Sequence, residues 1–347
     1  MIDRRQMMTT ALTLGAMHAF PQLTQAQARR LVFATFTGSW EEAHRDVLVP
    51  AFRKASNNAD IALDPLLSVD QIAKVTAART NPPIDVMLHD PGPALVAIDQ
   101  DLVDEYPIAQ SAHYNDLIAD AQGAKGPAPF FQVVGITYNP DKIKTPPTSW
   151  SDIWKPEYKG RVGITNLNST LGTGFLVEIA RSRGGSEANV DAGFKAIEEL
   201  KPNLGAVAAN PGQLATLYQQ GQIDIGPGNF NAIQILKARG VAVEFVAPKE
   251  GAIAFKTTIH LVKNSPNKEL AFKLIEASLS PEVQAKLMES PYLIVPTNTK
   301  VKIGGEVAKA LAKDHDEMKK KFVFQDWAAI NKQRSAWIEK FNRDIKI

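Results

Sequence analysis

LVFATFTGSWEEAHRDVLVPAFRKASNNADIALDPLL, residues 31–67, is the stretch that decides the fold class. LVFATF (Leu31 to Phe36) and IALDPLL (Ile61 to Leu67) are apolar runs of strand length. Between them Ala43, Val47, Ala51 and Ala55 recur at every fourth position, the spacing of one helix face. Ser39 and Glu42 have capping-box spacing, so a helix is expected to start at Trp40, with Pro50 bending it. Strand, helix and strand in this order form the repeating unit of a parallel sheet covered by helices.

The same grammar continues along the chain. IDVMLHD (Ile84 to Asp90) predicts a third strand, and VVGITY (Val133 to Tyr138), RVGIT (Arg161 to Thr165), IDIG (Ile223 to Gly226) and VAVEFVA (Val241 to Ala247) predict later ones. Helices are expected after Ser68 with Gln71, after Asn210-Pro211 with Gln213, and after Ser265-Pro266 and Ser280-Pro281. DKIKTPPTSW (Asp141 to Trp150) reads as a loop.

At the N-terminus, Arg4 and Arg5 precede a weakly apolar run from Thr9 to Phe20, and Ala26-Gln27-Ala28 offers a small-x-small cleavage site. Residues 1–28 are therefore expected to be an export signal, by the Sec or the twin-arginine route, with the mature chain in the periplasm. Composition fits a packed globular product, with 44% hydrophobic and 22% charged residues. The absence of cysteine excludes disulfides, thiolate metal sites and a Cys nucleophile. A net charge of +2 without a basic cluster argues against nucleic acid. The length of 347 residues exceeds what one core usually spans, so two lobes are expected.

In open parallel sheets, ligands sit beyond the carboxyl ends of strands, where helix N-termini present unpaired N–H groups. Four junctions here combine glycine or proline with polar groups: Thr37-Gly38-Ser39-Trp40, His89-Asp90-Pro91-Gly92, Asn168 to Thr173, and Gly226 to Phe230. Together they predict a cleft for a polar small molecule.

IDVMLHDPGP, GITYNPDKI, PTSWSDIWKPEYKGRVGIT, PKEGAIAF and SPNKELAFKLIEASLSPEVQAKLM, in this order, resemble the extracellular solute-binding proteins of ABC importers. The branch resembled includes the spermidine/putrescine-binding and iron(III)-binding-like receptors. The resemblance implies a type II periplasmic-binding fold, α/β, with two lobes that are each a mostly parallel sheet flanked by helices. It implies residues 29–134 and 255–305 in lobe 1, and 135–254 and 306–347 in lobe 2. It further implies a small-molecule solute and a membrane permease as partners, a monomer, and no cofactor, metal or catalytic residue.

With the junctions, the resemblance nominates Gly38, Ser39, Trp40, His89, Asp90, Ser169, Thr170, Thr173, Asn229, Phe230 and Phe255 as ligand-binding residues. Polyamine receptors place an acidic residue two positions after the Phe255 site, where this chain has Thr257, and NLNSTLGTG lacks carboxylates. Several ammonium groups need several anions to offset their desolvation, so an amino-acid-like zwitterion or small carboxylate is favoured, with a polyamine as the alternative. None of the six tyrosines is adjacent to another, against the tyrosine pair of the iron-binding relatives. No nucleophile with its base and no paired carboxylates can be assembled, which leaves a periplasmic enzyme on this fold as the weaker reading.

Overall fold

The computed structural model describes residues 30–345, so the predicted export signal lies outside the described residues. The chain opens with β1 (Leu31–Thr35), α1 (Ser39–Ala43), α2 (Val49–Ala55), β2 (Ile61–Pro65), α3 (Ser68–Ala77), β3 (Val86–His89) and α4 (Pro91–Asp99). A long strand, β4 (Phe130–Tyr138), leads to β5 (Val162–Thr165), α5 (Thr170–Ser182), α6 (Asp191–Leu200), β6 (Leu204–Ala208), α7 (Pro211–Gln219), β7 (Ile225–Asn229), α8 (Phe230–Ala238) and β8 (Glu244–Val246). A second long strand, β9 (Ala252–Leu261), precedes α9 (Lys268–Leu279), α10 (Pro281–Met288), β10 (Val295–Pro296), α11 (Gly305–Ala310), α12 (His315–Lys321), β11 (Phe322–Val323), α13 (Trp327–Asn331) and α14 (Arg334–Asp344).

The strand order is β2-β1-β3-β9-β4-β7-β5-β6. Each end of this order is parallel, as β1 pairs with β2 and β3, and β5 with β6 and β7. The two long strands are antiparallel to their neighbours and join the halves. In β9, Thr258 to Leu261 pair with β3 while Ile253 to Thr257 pair with β4; in β4, Phe130 to Val134 pair with β9 and Val134 to Tyr138 with β7. Each half has its own core, one around Phe33, Phe52 and Leu274, the other around Trp150, Phe175 and Ile197. A third cluster, with Phe131, Val133 and Ala254, lies against the long strands and takes in Val307 to Phe322, whereas Trp327 to Ile345 join the second core.

Local departures from the sequence expectations have physical causes. The Ser39/Glu42 capping box does not form: the N-cap is Gly38, at φ 69°, a left-handed conformation that glycine adopts without strain. Pro50 has no N–H to continue the ladder, and His44 to Leu48 widen into a π-helical turn before α2. Gln71 does not reach back to Ser68, because its amide donates to the Leu66 carbonyl and accepts from Leu88 N–H, each at 3.1 Å. Asn210 and Ser280 do cap their helices, through Gln213 N–H and Val283 N–H, whereas Ser265 bonds Asp85 and leaves α9 to start at Lys268.

The strand expected at Ile223 to Gly226 lies at Ile225–Asn229, so Gly226-Pro227-Gly228 is strand rather than turn. Neighbouring strands demand the glycines: a Cβ at 226 would stand 2.0 Å from the Gly163 carbonyl oxygen, and one at 228 would stand 2.2 Å from the Thr137 side-chain Oγ1. Pro227 is tolerated because β5 pairs with β7 only at Val162–Ile225, so no ladder partner needs its N–H. β6 was not expected at all.

Candidate functional site

A cleft of about 200 Å³ opens between the two halves of the sheet. Phe36 to Trp40, Leu67 to Val69 and Asp90 line it from the first lobe, Asn168 to Leu171, Pro211-Gly212, Asn229 and Asn231 from the second, and Gln132 and Phe255 from the long strands. The walls approach closely where Gly38 faces Gly212, with 4.0 Å between a Cβ built on the first and the Cα of the second.

Asp90 is the N-cap of α4, yet its side chain accepts no capping bond and is free to serve the cleft. Its backbone N–H donates to Ser68 Oγ at 3.1 Å, which fixes the turn. The carboxylate accepts from Gln132 Nε2 at 2.6 Å and from the Thr170 hydroxyl of the opposite lobe. Burial raises its pKa, and these two bonds together with the charge of Arg334 only partly oppose that rise. Gln132 also donates to Thr257 Oγ1 at 3.1 Å and accepts from Asn229 Nδ2 at 3.2 Å. One amide on β4 thus ties both lobes and β9 into a single network beneath the cleft.

Charge in the cleft is sparse. Its lining includes Glu42, Arg239 and Asp90 as charged side chains, and Glu42 pairs with Arg239. Asp90 is left as the carboxylate with no cation in contact. Around it stand the N-termini of α1, α3, α4, α5 and α8, none of which has a side-chain cap bond. Such ends direct N–H groups and partial positive charge at whatever fills the cleft. The Thr257 position, acidic in polyamine receptors, carries a fully buried hydroxyl engaged by Gln132.

Of the residues nominated from the sequence, Gly38, Ser39, Trp40, Asp90, Ser169, Thr170, Asn229 and Phe255 line the cleft. His89, Thr173 and Phe230 do not. His89 precedes Asp90 on its strand and faces the other way, its ring 5.2 Å from that of His260 and neither of its nitrogens hydrogen-bonded. Thr173 is fully buried, donating to the Leu167 carbonyl at 2.8 Å and accepting from Arg334 Nε at 3.2 Å. Phe230 packs edge-on against Phe245 at 5.1 Å, away from the Asn229 and Asn231 that flank it. Trp40 is mostly core, 4% exposed and in ring contact with Phe36, His44 and Phe130.

Sequence reasoning missed Gln132, Asn231, Arg334 and the Glu42–Arg239 pair. Gln132 had a visible signal, as the one polar side chain in the run FFQVV. Arg334 had none, sitting in a polar C-terminal segment. Among the described residues, no group of three or more His, Asp or Glu could hold a metal ion, and no helix is long and apolar enough to cross a membrane.

Two lobes, crossing strands and a polar cleft between them define a solute-binding architecture. The profile of the family described as bacterial extracellular solute-binding protein matches residues 81–333, and the chain belongs to that family. The chain is 30% identical over 144 residues to the spermidine/putrescine-binding periplasmic protein of Escherichia coli strain K12, a stretch that covers 41% of each chain. It thus matches less than half the length of that relative. It is 27% identical over 227 residues, 64% of each chain, to a putative 2-aminoethylphosphonate-binding periplasmic protein of Salmonella typhimurium. Among solved structures it is similar to an ABC transporter protein from Clostridium perfringens, with 25% identity, a TM-score of 0.70, and 91% of this chain and 100% of the other covered. The family and these neighbours are substrate-binding transport proteins rather than enzymes.

Proposed function

We propose that this chain is the periplasmic receptor of an ABC importer and closes its lobes on a small zwitterion or carboxylate in the cleft. The observation that carries the reading is the lone unpaired carboxylate of Asp90 set among uncapped helix N-termini. An ammonium group beside Asp90 offsets the burial that raises its pKa, while an anionic end at the α5 and α8 N-termini accepts N–H groups that lack caps. Gly38, Ser39, Trp40, Asp90, Ser169, Thr170, Asn229 and Phe255 contact the solute in this reading. Lobe 1 holds residues 29–134 and 255–305, and Val134 with Ile253 to Phe255 form the hinge.

The E. coli relative's name raises a polyamine as the second reading. Two or three ammonium groups would meet one free carboxylate, and desolvating the others without partners is costly. The name of the Salmonella relative describes a molecule with one ammonium and one anionic end, the polarity argued for this cleft. Export with cleavage near Ala28, a monomeric receptor and a permease that reads the closed lobes complete the proposal; the solute leaves chemically unchanged.

A thermal-shift and calorimetric screen tests it with 4-aminobutyrate, 2-aminoethylphosphonate, putrescine and spermidine, because a ligand that binds only the folded state raises the melting temperature. The two zwitterions are expected to give the larger shifts. Spermidine as the strongest binder would overturn the ligand assignment, and recovery of a converted product would overturn the receptor reading.

A further inference from the structure

Arg334, the first residue of α14, is buried at 8% exposure, and its guanidinium is held by neutral groups. Nη2 donates to the carbonyls of Leu167 at 3.2 Å and Asn168 at 3.0 Å, Nε donates to Thr173 Oγ1 at 3.2 Å, and the group lies 5.6 Å from the centre of the Trp327 ring. Burying a guanidinium among dipoles is costly. Asp90, across the cleft, is the carboxylate whose charge favours the protonated form. A purely structural staple could have been made by a neutral side chain at less cost.

Peptide geometry links this anchorage to the cleft. In a trans peptide the C=O and N–H point in opposite directions. With the carbonyls of Leu167 and Asn168 drawn to Arg334, the N–H groups of Asn168 and Ser169 point away from it. Ser169 N–H goes to the Asn166 carbonyl at 3.3 Å and closes a tight turn. Asn168, Thr170 and Leu171 line the cleft, and α5 begins there without a side-chain cap. A second, independent sign of an unmet polar requirement is Asn229 Oδ1, buried, without a hydrogen-bond partner and joined to Asp90 through Gln132: it is an acceptor that calls for a donor, as an ammonium end turned to Asp90 supplies.

We propose that Arg334 is a positioning residue that sets the polarity of the bound solute. It locks the Asn166 to Leu171 turn, of which Asn168 to Leu171 border the cleft and carry the N-terminus of α5. Its charge also makes the second-lobe wall the seat of a carboxylate or phosphonate end, with the ammonium end turned to Asp90. The inference rests on reading the cleft as a zwitterion site.

The test uses the full chain as wild type, R334K and R334Q. Calorimetry measures 4-aminobutyrate, 2-aminoethylphosphonate and putrescine, while amide hydrogen exchange follows Asn168 to Leu171 without ligand. R334Q is expected to weaken the two zwitterions on the order of tenfold or more while putrescine changes little, because charge-assisted contacts exceed neutral ones. Exchange at Asn168 to Leu171 is expected to rise in R334Q, with R334K intermediate on both counts. An equal loss for all three probes, or unchanged exchange, overturns the role of Arg334 and leaves the zwitterion reading standing. A wild type that binds only putrescine, or none of the probes, overturns the zwitterion reading, and exchange at the turn then decides the anchoring role by itself. Should R334Q fail to fold, the same ratios and exchange rates in R334K decide in the same way.

Discussion

Glu42, near the start of α1, and Arg239, just beyond the end of α8, form an ion pair across the mouth of the cleft, 197 residues apart in sequence. Beside it Asn231 Nδ2 donates to Ser39 Oγ at 3.1 Å. Both contacts join the lobes directly, so the closed arrangement has bonds of its own before any solute contributes. The pair is half-exposed, with side chains 52% and 35% accessible, and such pairs contribute at most about 1 kcal/mol. E42Q is therefore expected to shift the ligand-free closed population by less than about fivefold. Small-angle scattering would register this as a slightly larger radius of gyration, and high salt should reproduce the effect in wild type by screening the pair.

Asp90 sets a trade between stability and binding. Burial raises its pKa above 3.8, so the ligand-free folded state holds that proton more tightly than the unfolded chain does. Stability from this group is present below 3.8 and is lost as pH rises through the raised value. D90N keeps an acceptor for Gln132 and removes the buried charge. At neutral pH it is expected to melt at least about 2 °C higher without ligand and to lose affinity for zwitterions by about a hundredfold. A D90N protein that melts lower than wild type at pH 7 contradicts this account.

Three buried histidines, His44, His89 and His260, set acid sensitivity with the opposite sign, and burial holds the pKa of His89 well below 6.5 as well. Burial lowers the pKa of His260 to about 4 and that of His44 to about 3, against 6.5 in the unfolded chain. Below 6.5 the unfolded chain takes up protons that the folded state refuses, so stability falls as pH drops toward 4, by up to about 1.4 kcal/mol per pH unit for each residue. Burial holds His260 neutral, while the hydrogen bond from its Nδ1 to Lys125 O at 2.7 Å opposes that shift; Nε2 lies 2.8 Å from Thr258 Oγ1. H260Q is expected to be less stable at pH 7 yet to show a flatter decline between pH 6.5 and 4, read by urea unfolding at each pH.

Trp40 is expected to behave as a core residue that also edges the cleft. W40A leaves a void among Phe36, His44 and Phe130 and should cost about 3–5 kcal/mol, whereas W40F should cost about 1–2 kcal/mol. Denaturant titrations of both variants check this. A W40A variant that loses solute affinity while keeping wild-type stability would show the indole to be a ligand platform instead.

What the sequence made legible followed from period and spacing. The alternation from Leu31 onward located β1, β2, β3 and the helices between them, and the junction texture brought Gly38, Asp90, Ser169 and Asn229 to one place. Two kinds of feature escaped. The extent of β7 was misplaced because Gly226-Pro227-Gly228 carries turn composition for a reason that only neighbouring strands reveal. Capping spacing at Ser39 and Ser68 gave the helix positions but the wrong bonds, since tertiary partners claimed those side chains: Asn231 for Ser39, and the Asp90 N–H for Ser68. Arg334 acts through carbonyls of a distant loop, and no local pattern encodes that contact.

The long strands β4 and β9 carry Gln132 and Phe255 into the cleft at the place where the chain crosses between lobes. With the hinge proposed above, pivot and binding floor are the same few residues, while Glu42 and Arg239 stand at the rim. A contact at the floor is made with the solute and discriminates among solutes, whereas the rim contact is made between the lobes and favours their closure whatever solute is held. Selection and retention can then be tuned by separate substitutions in one receptor.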